Sequence, residues 1–343
     1  TPLPLMPTGQ RILVLSDWGD LVDMGNVQGF VDSDNNGVFD DPLPDPQEGP
    51  FTKRIPGYTA FDLVDNPEGP HMLVLLTDKG RTTSFEFPPI DSPNPQIIRN
   101  PLPDLARVLG TGRARGTVNM VDVKINEARD GFFVLSERGR VISAQTDPQG
   151  GRLPKANGAE VAPFVAAPNS AVALALIPGG AVPGALKGYI LTSSGQIVRV
   201  PSTADPEEVP PLVPVKPVRN KGTFVDMSLA ISDGKVVGAV VANGVGEIYV
   251  AKPEGGDMPP IDIQDGFTSL GWPLTTPLVL QAVAAVPTDD TFGVIALDRS
   301  GGLHTYGKAS RFLPDLVDGE PKPVDVPNWG GLTRIDIEIS LYE

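Results

Sequence analysis

Short apolar runs rich in Val, Ile, Leu and Phe alternate along the chain with glycine-containing turns, and no segment sustains an apolar period of about 3.6 residues. One phrase recurs: a β-rich run, a tight turn with glycine, then a second short β run. It appears as Ile12-Leu-Val-Leu-Ser-Asp-Trp-Gly19 and continues to Gly25, then returns as Met72-Leu-Val-Leu-Leu-Thr-Asp-Lys-Gly80. Further copies are Phe132-Phe-Val-Leu-Ser-Glu-Arg-Gly139, Tyr189-Ile-Leu-Thr-Ser-Ser-Gly195, Val236 to Tyr249 through Gly244, and Phe292 to Gly307 through Gly301. Each reads as a β-hairpin, because β-branched and aromatic runs flank a glycine turn.

Five copies are preceded by another strand-like segment: Ala60–Val64, Val121–Ile125, Val172–Leu176, Val225–Leu229 and Gln281–Ala285. The first hairpin lacks one, and the missing piece stands at the other end of the chain as Ile335-Asp-Ile-Glu-Ile-Ser-Leu341. Turn glycines at 19, 80, 139, 195, 244 and 301 are separated by 61, 59, 56, 49 and 57 residues, and counting round the join from Gly301 to Gly19 gives 61. A period that survives crossing the termini predicts a ring. The fold class expected is all-β: a six-bladed β-propeller over residues 1–343, closed by pairing the C-terminal strand into the N-terminal blade. Fourth, outermost strands are expected in the Pro-rich stretches Phe85–Pro103, Val161–Val165, Val209–Val218, Pro259–Ile263 and Pro321–Val326, since proline is confined to sheet edges.

Composition then removes whole classes of chemistry. The chain has no Cys, which excludes disulfides, thiolate metal sites and a cysteine nucleophile. Its two histidines, His71 and His304, are far apart in sequence and do not make a multi-histidine metal site unaided. A net charge of −15 repels phosphate backbones, so no nucleic acid is expected as a partner. The basic cluster Arg107–Arg115 is short and reads as a solvated loop. Apolar runs are too short for a membrane span. The chain begins Thr-Pro-Leu-Pro, a start that suits a mature secreted protein with a Pro-rich N-terminal arm over residues 1–9.

The hairpins Trp18-Gly-Asp-Leu-Val-Asp-Met-Gly25 and Ser300-Gly-Gly-Leu-His-Thr-Tyr-Gly307 resemble the blade signature of secreted bacterial β-propellers, in which a Gly-Gly-hydrophobic-His-aromatic-Gly hairpin recurs. The resemblance implies the fold and carries no activity with it.

The sharpest local motif is Asp32-Ser-Asp34-Asn-Asn36-Gly37-Val38-Phe-Asp40-Asp41, within an excursion of the first blade over residues 29–50. Oxygen ligands at loop positions 1, 3, 5, 7 and 9, with glycine at 6, are how a short loop wraps a hard cation. Asp32, Asp34, Asn36, Asp40 and the carbonyl of Val38 occupy those places, which predicts a structural calcium ion. The loop resembles those of dockerins and thrombospondin type 3 repeats, and departs from the EF-hand in having Leu43 where a bidentate Glu would stand. The competing reading is a hairpin turning at Asn36-Gly37 with solvated aspartates around it.

Aligning the inner strands puts Asp62, Asp122, Asp226 and Asp336 in one column, with Ala173 and Ala282 in the other two blades. These carboxylates are candidates for a channel site that holds a metal or works as acid and base, with Asn119, Lys124 and Glu338 nearby in sequence. The alternative is that each Asp caps backbone donors of a neighbouring strand. His304 is a second candidate base, the other reading being a packing or turn residue of its hairpin. The chain has no Gly-x-Ser-x-Gly elbow and no His-Glu-x-x-His. The preferred expectation is therefore a non-catalytic extracellular structural or interaction protein with protein partners, including a second copy of itself in a filament, appendage or surface layer. Two alternatives stand beside it: a metal-dependent, lactonase-like propeller hydrolase using the channel aspartates, and a carbohydrate-binding propeller using Trp18, Trp272 and Trp329.

Overall fold

The structure, a computed structural model, describes residues 10–16, 21–23, 58–64, 71–78, 80, 82–87, 98–101, 119–126, 131–145, 171–182, 186–201, 204–216, 222–261, 263, 268–269, 279–288, 291–299, 303–307, 309 and 334–341. These are all-β. The calcium-loop residues Asp32, Asp34, Asn36, Val38 and Asp40, the N-terminal arm and the expected strands at Val161–Val165 and Pro321–Val326 lie outside the described residues.

Strands β1 (Gln10–Ser16) and β2 (Leu21–Asp23) open the chain as a hairpin. The next sheet holds β3 (Tyr58–Val64), β4 (His71–Thr77), β5 (Thr82–Phe87) and β6 (Ile98–Pro101) in sequential order. Three-stranded sheets follow: β7 (Met120–Ile125), β8 (Gly131–Ser136) and β9 (Val141–Gln145), then β10 (Ala171–Leu176), β11 (Gly188–Thr192) and β12 (Ile197–Val200). The third such sheet contains β13 (Phe224–Ser232), β14 (Lys235–Asn243) and β15 (Ile248–Ala251). The last sheet built from consecutive chain has the order β16 (Thr268–Ser269), β19 (Leu303–Tyr306), β18 (Phe292–Asp298), β17 (Leu280–Pro287). Finally β20 (Arg334–Leu341) pairs antiparallel with β1, with Ile12 opposite Ile339 and Val14 opposite Ile337. Every strand pair in these six sheets is antiparallel.

The expected hairpin repeat has a single local cause. Ser136, Thr192 and Asn243 close their strands by accepting, through the side chain, the N–H four residues on, from Arg140, Gln196 and Glu247 at 2.9 to 3.1 Å. Three residues after each stands a glycine at φ of +77° to +91°, namely Gly139, Gly195 and Gly246, with Gly80 in the same place after Thr77. Non-glycine residues avoid that region because Cβ meets the backbone. This corrects one sequence reading: the turn glycine of β14–β15 is Gly246 and not Gly244, which leaves intervals of 51 and 55 residues on either side.

Apolar cores lie between neighbouring sheets. One joins Met72, Val74 and Leu76 to Val123, Phe132 and Val134; the next joins Phe133, Leu135 and Val141 to Leu174, Leu186 and Ile190. A third joins Tyr189 and Leu191 to Phe224, Met227 and Val241, and a fourth joins Val240 and Ala242 to Val283, Val294 and Ala296. A strand buried on both faces reads as a continuous apolar run, which is why β8, β11 and β18 are buried throughout. Backbone bonds repeat across the seams. Met120, Ala171 and Phe224 each donate to a turn residue of the preceding sheet, Asp78, Glu137 and Ser193, at 2.8 to 3.0 Å.

The outer strands differ from expectation. Strand β6 follows its hairpin as anticipated within Phe85–Pro103, but β16 precedes the strands it joins. The segment expected as a fourth strand over Val209–Val218 makes one bridge, Leu212 to Pro253, at the edge of the following sheet. Ile261, in the stretch expected to edge β15, instead bridges Phe292 of the next sheet in parallel. Proline supplies no N–H, so these stretches cannot sustain a ladder and are placed by packing.

Candidate functional site

The inner strands β3, β7, β10, β13, β17 and β20 each carry one extra residue near the start: Thr59, Val121, Val172, Val225, Gln281 and Ile335. Such a bulge puts two consecutive residues opposite one and re-aims their side chains. Counting from it sets the alignment between strands. Ala60, Asp122, Ala173, Asp226, Ala282 and Asp336 share the position after the bulge. Two residues further lie Asp62, Lys124, Ala175, Ser228, Ala284 and Glu338. Asp62 therefore leaves the column in which sequence spacing puts it, and stands level with Lys124 and Ser228.

Both levels tie one inner strand to the next. Asp122 is buried, and its Oδ2 accepts the N–H of Leu174 on β10 at 2.6 Å while Oδ1 accepts the N–H of Val123 at 2.7 Å. Asp226 accepts the N–H of Val283 on β17 at 2.7 Å. One level down, Asp62 accepts the N–H of Ile125 on β7 at 2.5 Å, and the hydroxyl of Ser228 accepts the N–H of Ala285 at 3.0 Å. The Nζ of Lys124 stands 3.5 Å from Asp62 Oδ1. The upper level alternates alanine with aspartate, and Asp122 and Asp226 each reach the alanine-bearing strand that follows. The side chain of Asp336 lies outside the described residues, and its register position continues the alternation.

Between these strands lies a polar cavity of about 100 Å³, lined by the bulge residues Thr59, Val121, Val172, Val225 and Gln281 and by Asp122, Lys124, Asp226 and Ser228. The arrangement brings together Asp122, Asp226 and Lys124, three of the residues singled out from sequence. Asn119 instead donates to Glu137 at 3.0 Å, at the hairpin end. Among the described residues no group of three His, Asp or Glu is placed to hold a metal ion.

His304 is 1% exposed, and its Nε2 lies 2.7 Å from Asp298 Oδ2. Asp298 occupies the turn position held elsewhere by Ser136, Thr192 and Asn243, so this pair belongs to hairpin closure. His71 begins β4, opposite Phe87. A buried phenol went unnoticed in the sequence. Tyr189 is fully buried, donates to the carbonyl of Pro210 at 2.7 Å, and burial holds its phenol well above the ordinary range. Its signal was available in the β11 apolar run, where a tyrosine stands among aliphatic residues.

No family model and no curated protein matches the sequence. The structure is similar to the β-propeller domain of Myceliophteria thermophila Cps50 (Swd1), with a TM-score of 0.44 and 8% identity over 86% of this chain and 92% of that one. It is also similar to the major Malassezia sympodialis allergen Mala s 1, with a TM-score of 0.38 and 12% identity over 88% of this chain and 86% of that one.

Proposed function

We propose that the chain is a closed six-bladed β-propeller that works as a non-catalytic extracellular structural or interaction protein, with a structural calcium ion at Asp32, Asp34, Asn36, Val38 and Asp40 and protein partners that include further copies of itself. The observation that carries the non-catalytic reading is the bonding of Asp122. Both its oxygens accept backbone N–H groups, one from its own strand and one from the next, which is the bonding of a structural tie between strands. Closure is supported by β20, which pairs with β1 and packs against β3 on one side and β17 on the other.

The test is negative-stain microscopy of natively isolated material before and after calcium chelation, with a lactone-hydrolysis assay on the same preparation. Ordered filaments or sheets, without turnover, are expected. Dispersed rings remove the assembly reading, and turnover that vanishes in Asp122→Ala and Asp226→Ala, with folding intact, establishes the hydrolase instead.

A further inference from the structure

The segment Val209-Pro-Pro-Leu-Val-Pro-Val-Lys216 runs from the β10–β12 sheet to the edge of the β13–β15 sheet. Its burial has a period of three, not the period of two that an edge strand shows. Val209, Leu212 and Val215 are 0%, 4% and 7% exposed and sit in the core between the two sheets. A period of three is that of a polyproline II helix, and prolines at 210, 211 and 214 favour it. With one ridge seated, two face outward. One carries Pro211 and Pro214, the other Pro210, Val213 and Lys216; Val213, Pro214 and Lys216 are exposed. Backbone bonds hold the segment rigid: Val213 N–H to Lys252 O at 2.8 Å, Glu254 N–H to Pro211 O at 2.7 Å, and Val215 N–H to Gly195 O at 3.0 Å.

We propose that residues 210–216 are a docking ridge for a protein partner with an aromatic-lined groove and an acidic rim; this rests on reading the chain as an interaction protein. Grooves of that kind grip two ridges of a polyproline II helix and leave the third alone; here Val213, Pro214 and Lys216 stand exposed on the two outer ridges, and Pro210 and Pro211 are half-buried. The charge fits as well. The exposed Lys216 ends the ridge with a cation, and Arg219 and Lys221 follow it in sequence, while the acidic residues Asp205, Glu207 and Glu208 stand before the other end at Val209. Because the ridge is already ordered, binding forfeits little conformational entropy.

The experiment titrates the full chain into isolated SH3 and WW domains with acidic-rimmed aromatic grooves, following the tryptophan fluorescence of each groove. Saturable binding by at least one domain is expected, weakened tenfold or more by Pro214→Ala and by Lys216→Glu, with unchanged melting temperatures because both side chains are exposed. No saturation with any domain, or equal binding by both variants, overturns the proposal. Loss of self-association in the variants, seen by light scattering without any effect on groove binding, assigns the ridge to a second copy and also overturns it. Filaments that persist while the ridge fails leave the broader interaction reading standing; loss of both removes it.

Discussion

The carboxylate of Asp122 and the backbone N–H of Leu174, 52 residues apart in sequence, meet at 2.6 Å across a seam between two sheets. The same geometry joins Asp226 to Val283 at 2.7 Å. A carboxylate in the middle of an apolar strand is ordinarily a candidate for chemistry. Here both its oxygens accept strand amides, and the polar cavity lies beside it.

Asp122→Ala removes an acceptor from two backbone donors and is expected to lower unfolding stability by about 2–6 kcal/mol, given roughly 1–3 kcal/mol for each buried donor left unpaired. Asp122→Asn keeps one carbonyl oxygen but turns an NH2 donor toward the other N–H, and is expected to lose about half as much. Urea denaturation of the three proteins measures this, and a cost under about 0.5 kcal/mol for Asp122→Ala contradicts the tie.

Tyr189 and Tyr306 both have phenols raised above their ordinary range by burial. An acid whose folded pKa lies above its unfolded value contributes stability that is complete below the unfolded value of about 10 and is lost as pH rises beyond it. Stability is therefore expected to fall steadily above about pH 10. Phenolate absorbance in an alkaline titration should show the fully buried Tyr189 ionising only as the protein unfolds. Loss of that late phase in Tyr189→Phe assigns it.

Two glycines of positive φ separate backbone strain from crowding. Gly195, at φ +86°, lies where a Cβ would meet the carbonyl of Val215 and the ring of Phe224. Gly234, at φ +70°, has nothing within 4 Å of such a Cβ. Gly234→Ala is expected to cost about 1–2 kcal/mol for the left-handed backbone alone, and Gly195→Ala clearly more. Thermal melts of the two variants decide it, and equal losses would mean that the turn at Gly195 yields without disturbing the Phe224 core.

For the calcium loop, added calcium is expected to raise the melting temperature of the wild type and to leave Asp32→Ala and Asp34→Ala unmoved. At a free concentration a hundred times the dissociation constant, the gain is about 2.7 kcal/mol. A calcium response that survives both substitutions places the ion elsewhere.

Much of the fold was legible in single residues. A Ser, Thr, Asn or Asp three positions ahead of a glycine marks the hairpins, and continuous apolar runs mark strands buried on both faces. Gly244 misled because Asn243-Gly244 is itself a strong turn dipeptide. The register of Ala242 opposite Ile248 decides for Gly246. Asp62 misled for a different reason. The bulge near the start of each inner strand carries no compositional mark, so the sequence offers no point to count from, and Asp62 was put level with Asp122 when it stands two residues further on.

The sequence by itself determined the repeat, the antiparallel hairpins and the return of the C-terminal strand to the first one. Those depend on local turn chemistry and on apolar residues recurring at the period of a strand. Only the tertiary structure decided what the inner aspartates bond to, and that the Val209–Lys216 stretch is a ridge with period three rather than a fourth strand. Both depend on which amide or apolar surface a neighbouring sheet presents across a seam, and such pairings lie from 20 to 57 residues apart in the chain, beyond the reach of any local pattern.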